Sequence, residues 1–109
     1  MANTFKLKTK ANVGVTTVGI YTAPASTTTV VIGITMANTS GSGVNVGVGI
    51  TRAVTTEDIK LLKNAPIPQG SSLEFMGGNK VVLETTDTLT VDSDTNNSVD
   101  ASLTIMEIT

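Results

Sequence analysis

Val44-Asn45-Val46-Gly47-Val48-Gly49-Ile50-Thr51 decides the fold class. Aliphatic residues occupy every second position, and the residues between them are small or polar. Side chains alternate between the two faces of a strand, so this pattern buries one face and leaves the other open. A helix would need a period near 3.6, which these eight residues do not have. Immediately upstream, Asn38-Thr39-Ser40-Gly41-Ser42-Gly43 carries the residues of a tight connection and reads as a hairpin loop. Before it, Thr28 to Ala37 places Val30, Ile32, Ile34 and Met36 at alternate positions. The two apolar rows are expected to face each other across one core.

The same pattern recurs in both directions. Thr4–Lys10 and Val13–Tyr21 read as strands, the second with a change of phase near Thr16-Thr17. Thr22–Ser26 and Val54–Asp58 read as loops. Ile59–Lys63 fits a strand or a helical turn, and its strand neighbours favour a strand. Ala65-Pro66-Ile67-Pro68-Gln69-Gly70 reads as a turn, since two prolines bar a central strand. Leu73 and Phe75 mark a short strand, Gly77-Gly78-Asn79 a tight turn, and Lys80–Thr85 and Thr88–Ser93 two further strands. Asp94–Ser98 is a turn, and Val99–Ile108 ends the pattern with Val99, Ala101, Leu103 and Ile105 inward. About eight short strands separated by turn signals imply an all-β, antiparallel β-sandwich, jelly-roll or Ig-like, as a single domain over residues 1–109. Gly33, Gly47 and Gly49 lie inside strands, where a bend or bulge, or the close approach of another backbone, explains a missing side chain.

The composition excludes most chemistry. With no cysteine, disulfides and thiolates are absent; with no histidine, the commonest general base and metal ligand is missing. Adjacent residues on a strand point to opposite faces, so the carboxylates Glu57 and Asp58 make a poor acid–base pair. Gly41-Ser42-Gly43 and Gly77-Gly78 lack the helix and Lys-Ser/Thr pair of a phosphate loop. Asp92–Asp100 begins like a calcium loop, but Asn97 stands where Gly belongs and Leu103 where the bidentate Glu belongs. A hairpin turn rich in Asp and Asn explains it better. No enzyme, cofactor or metal site is expected. Aromatics are 3% of residues and net charge is -2, too little ring surface and basic charge for nucleic acid or carbohydrate. MANTFKLKTK has no apolar segment of a secretion signal, and no apolar run is long enough for a membrane helix.

Charge is unevenly distributed. Lys6, Lys8 and Lys10 cluster early, whereas Glu84, Asp87, Asp92, Asp94, Asp100 and Glu107 follow Lys80 with no basic residue among them. Thr4–Lys10 is therefore expected to pack as a strand against the acidic C-terminal half or a neighbouring subunit. Its Phe5 and Leu7 face would dock while the lysines face solvent. At the other end Glu107 breaks the inward row, and Met106 and Ile108 make the opposite face apolar, as if a partner covered it. Phe5, Lys6, Leu7, Lys8, Lys10, Met106 and Ile108 are the candidate assembly contacts.

The order of motifs carries a likeness. Ile20-Tyr21-Thr22-Ala23-Pro24-Ala25 leads into an apolar strand ending in Ala37-Asn38-Thr39-Ser40. Ala65-Pro66-Ile67-Pro68-Gln69-Gly70-Ser71-Ser72-Leu73 follows, then Gly77-Gly78-Asn79-Lys80-Val81-Val82-Leu83-Glu84 and the acidic turn before the last strand. Over nearly its whole length the chain resembles small virion structural proteins of tailed bacteriophages, especially marine and cyanobacterial ones. The resemblance implies a β-sandwich subunit made in the host cytoplasm and located in the virion. The leading reading is a capsid decoration (cement) protein that bridges subunits of the major capsid protein. It would act as a homo-oligomer, with a trimer matching local shell symmetry. The alternatives are a tail, neck or fibre-associated subunit, or a host-surface adhesion module using the loops around Pro24, Ser40 and Asn96.

Overall fold

The computed structural model describes residues 3–75 and 80–109; the turn expected at Gly77-Gly78-Asn79 lies outside them. The described chain is all-β. Nine strands form in order: β1 (Asn3–Val13), β2 (Val18–Thr22), β3 (Thr28–Asn38), β4 (Val44–Arg52), β5 (Glu57–Ile67), β6 (Ser72–Phe75), β7 (Val81–Leu83), β8 (Asp87–Ser93) and β9 (Val99–Ile108). Sheet A has the order β1-β9-β3-β6, with β7 also pairing β3; sheet B has the order β2-β8-β4-β5. All pairings are antiparallel.

The core lies between the two sheets. Sheet B contributes Val44, Val46, Val48 and Ile50 from β4, all buried as their alternation requires, with Leu89 and Val91 from β8. Sheet A contributes Leu103 and Ile105 from β9 and Val31, Ile34 and Met36 from β3. The expected row on β3 is thus half right. Val31 pairs with Ile105 and Gly33 with Thr104, so Ile32 is an extra residue in a bulge. One added residue shifts the alternation by one position. Ile34 and Met36 point inward as expected, whereas Val30 and Ile32 are only half-buried.

Gly47 and Gly49 combine both readings: the β4–β5 register shifts between Val46 and Val48 and again between Val48 and Gly49, and neither position has room for a side chain. A Cβ on Gly49 would sit 2.8 Å from the Ile59 carbonyl oxygen of β5, and one on Gly47 would sit 2.6 Å from an Asp92 side-chain oxygen. The approaching backbone belongs to the same chain.

Connections differ from the local reading in a systematic way. Among the described residues only β4 and β5 form a hairpin; β6 and β7 lie along one edge of β3, and the other connections change sheets. The Asn38–Gly43 segment is therefore a crossover. The Asn38 amide donates to the carbonyls of Ser42 and Ile67 at 2.8 and 3.0 Å, fixing the chain as it leaves sheet A for sheet B. β5 also runs past the expected turn to Ile67. It is an edge strand, where Pro66 sacrifices no ladder bond from a central position.

Candidate assembly face

β1 is an edge strand, and its orientation reverses the expectation. Lys6 pairs with Ile105, Lys8 with Leu103 and Lys10 with Ala101, all on the core-facing side of β9. Phe5 and Leu7 pair with Met106 and Thr104 and point away from the core, 69% and 66% exposed. The apolar side does not dock against this chain.

A buried polar group fixes that register. Glu107 lies on the core side of β9 and is 6% exposed. The Tyr21 hydroxyl donates to it at 2.6 Å, and the Lys6 ammonium reaches its other oxygen at 2.8 Å. Tyr21 also lies 2.8 Å from the Thr29 hydroxyl, and the Lys8 ammonium sits 5.9 Å from the Tyr21 ring centre. A one-residue slip of β1 would turn the lysines outward and leave Glu107 buried without its cation. β2, the edge of sheet B nearest β1, is only five residues long. The lysine stems can therefore lie along the core margin while their charges reach water. Inward lysines on an edge strand also discourage another strand from adding there. The expected engagement of the basic run with the acidic half is thus present, through Lys6 and Glu107.

These contacts set a pH dependence. The Lys6 hydrogen bond, followed by that of Tyr21, holds the Glu107 carboxyl below its ordinary range. Burial first, and the Glu107 contact second, push the Tyr21 phenol up to about 12. Glu107 therefore contributes stability above its unfolded value of about 4.3, lost as pH falls through the lower folded value. Tyr21 contributes stability below about pH 10, lost as pH rises towards about 12. Tyr21 is the sole tyrosine and the chain has no tryptophan, so tyrosinate absorbance reports this group alone. Half-ionisation should occur near pH 12; titration like a free phenol would remove the network.

On the outward side of sheet A the registers align across four strands. Phe5 pairs with Met106, Met106 with Val30, and Val30 with Val82. Val82 is 54% exposed, and Met106, Val30 and Ile108 are half-buried. These side chains form a contiguous apolar strip rather than single scattered exposures. Of the expected contacts, Phe5, Leu7, Met106 and Ile108 share this face. Lys6, Lys8 and Lys10 belong to the opposite side. Val30 and Val82 were not anticipated, although the doublets Val30-Val31 and Val81-Val82 carry the signal: consecutive apolar residues imply that both faces of a strand are covered.

Other surfaces offer less. A cleft of about 310 Å³ is lined by Ile50, Arg52, Ile59, Val82, Glu84 and Asp87. Its guanidinium is already engaged by Glu84 and, at 3.1 Å, by buried Asp87. In the Asp92–Asp100 segment, Asp92 accepts from Thr17 and Asp94 accepts from the Asn45 amide. Among the described residues no three His, Cys, Asp or Glu side chains converge as a metal site would require. The three loops considered for adhesion do not cluster. Those around Ser40 and Asn96 meet at one end, through the Thr39 amide and the Ser98 carbonyl. The Pro24 loop lies at the other end of β3, bonded to Thr86 and Asp87.

No protein-family model matches the chain, and no curated protein matches it. Solved structures do. One match comes from Bacillus endospore appendages, described as a family of disulfide-linked pili. It is 15% identical, with a TM-score of 0.57, covering 99% of this chain and 87% of that one. Another comes from the acidic stable capsid structure of Helicobacter pylori bacteriophage KHP30. It is 9% identical, with a TM-score of 0.58, covering 98% of this chain and 87% of that one. The chain shares their fold. At these identities the likeness is one of architecture, and it extends over almost the whole chain in both cases.

Proposed function

We propose that this chain is a structural, non-enzymatic subunit of a virion, acting as one domain on the capsid as a decoration protein. The observation that carries this reading is the apolar outer face of sheet A, which the chain's own fold leaves uncovered. Such a face costs solubility in a lone protein and is useful only when another subunit covers it. The mechanism is contact area: a rigid sandwich adds interface free energy between the subunits it touches, the major capsid protein or other virion subunits. The fold shared with a capsid structure supports this reading.

Tail, neck or fibre placement is the second reading, and the likeness to a pilus structure favours a filament in the same way. That assembly is described as disulfide-linked, and the 109 residues here contain no cysteine, so they cannot make that bond. Quantitative mass spectrometry of purified particles separates the readings. A decoration role requires a copy number comparable to that of the major capsid protein. A copy number far below it would move the chain to the tail or neck, and absence from particles would overturn the virion reading.

A further inference from the structure

We infer that the N-terminal strand is a releasable arm: residues 3–10 detach from sheet A as a unit when the Glu107 carboxylate takes up a proton, while the rest of the sandwich stays folded. Three observations carry it. The first is what the arm lacks. No side chain from Asn3 to Asn12 is buried, and among the described residues β1 pairs with β9 alone. A segment with few buried apolar contacts and water-exposed ladder bonds opens ahead of the global transition. β9 does not need the arm to stay in place, because its other side pairs with β3 from Thr28 to Asn38.

The second is a boundary. The β1–β9 register runs unbroken from Asn3 to Lys10 and shifts before Val13. Asn12 lies in that irregularity with a left-handed φ of 58°, a conformation that Asn tolerates in bulges and turns. Beyond it the chain is fastened. Val13 is buried, and its carbonyl accepts from the Ser98 amide at 3.0 Å. The Gly14 carbonyl accepts from the Ser93 amide at 2.9 Å. Opening that starts at the N-terminus therefore stops at Asn12.

The third is the clasp between Lys6 and Glu107, which lies well away from that hinge. Glu107 is faced by Lys6 and Lys8 of β1, by the Tyr21 hydroxyl of β2 and, through Tyr21, by Thr29 of β3. Leu83 of β7, next in the row beyond Thr29, does not titrate. Asp100 accepts from the Asn12 amide at 3.0 Å and so belongs to the hinge. A proton on Glu107 removes the charge that draws Lys6 inward, while the carboxyl keeps Tyr21 as a partner. The Lys6 ammonium, left at the core margin without its counter-ion, is better solvated with the arm detached. A glutamate held ionised by the closed arm stabilises that arm above its ordinary value, so release sets in below about pH 4.3. Phe5 and Leu7 travel with the arm, and release strips one edge from the apolar face.

Amide hydrogen exchange on the full chain tests this, read as protection relative to the intrinsic rate at each pH. Between neutral pH and about pH 3, well below the ordinary glutamate value, protection at residues 4–10 should fall. The fall should be about tenfold or more, as for the loss of a hydrogen bond to a charged group. The central strands β4 and β8 should keep their protection. Glu107→Gln should produce the same loss already at neutral pH and abolish the arm's response to acid. Lys6→Met, at a position whose side chain is 43% exposed, should also loosen the arm at neutral pH, and it decides the matter if Glu107→Gln does not fold. Arm amides that lose protection only together with β4 and β8 would overturn the inference. So would a Lys6→Met arm as protected as wild type. A folded Glu107→Gln protein whose arm still opens with acid as wild type does would assign control to another carboxylate, such as Asp100, and overturn it equally.

Discussion

Val48→Asp yields no soluble folded protein. Val48 is fully buried at the centre of β4, paired with Val91 of β8 on one side and Leu62 of β5 on the other. The aspartate would enter a layer of aliphatic side chains with no cation facing it. Burying an unpaired carboxylate costs several kcal/mol even after relaxation, and a domain of this size has only about 5–15 kcal/mol in total. The core has few aromatic rings to spare, so the loss is not absorbed elsewhere. Val48→Ala is the control: it removes two methyl groups and should cost roughly 1.5–3 kcal/mol, leaving a folded protein with a lower melting temperature. Circular dichroism melts of both variants check the claim. A Val48→Asp protein that melts like wild type would show that the inward row on β4 is not core.

Deleting residues 1–10 lowers incorporation into particles by about tenfold or more, given that buried Phe and Leu side chains each contribute about 1.5–3 kcal/mol to a contact. The deletion removes Phe5 and Leu7, the most exposed part of the apolar face. It removes little from the core, because no side chain between Asn3 and Asn12 is buried and Val13 remains as the anchor. The sandwich should therefore persist, with a lower melting temperature, because β9 loses its outer ladder and Glu107 loses Lys6. Phe5→Ser with Leu7→Ser keeps the strand and should reproduce most of the assembly defect with a smaller loss of stability. Shortening the exposed Ala53–Thr56 turn should affect neither. Normal incorporation of the truncated chain would mean that the strand is not an assembly element. Added salt should weaken the lysine contacts and leave the apolar contribution largely intact.

The candidate face was partly legible in the sequence. The alternation of Phe5 and Leu7 with lysines, and the apolar Met106 and Ile108 beside Glu107, pointed to four residues that lie on it. Their direction was not legible. An amphipathic edge strand reads identically whichever side meets the core, and the choice here was made by Glu107, Tyr21 and Lys6, which lie on three different strands. Val30 and Val82 joined the face for a similar reason. The bulge at Ile32 changes which residues of β3 look outward, and Val82 gains meaning only when β7 pairs with β3 opposite Val30.

The sequence by itself determined the all-β class, the position of most strands and the inward rows of β4 and β9. Each of these follows from period-two alternation, which is a property of neighbouring residues and needs no knowledge of the rest of the chain. The exclusion of thiol and imidazole chemistry is equally a matter of composition. Only the tertiary structure decided which sheet each strand enters, where the phase of β3 slips and which side of β1 faces out. Turn residues bend the chain without specifying whether the next strand pairs with the last or crosses the core, since both need the same local backbone. That choice depends on partners far apart in sequence: Asn38 with Ile67, Val31 with Ile105, and Lys6 with Glu107.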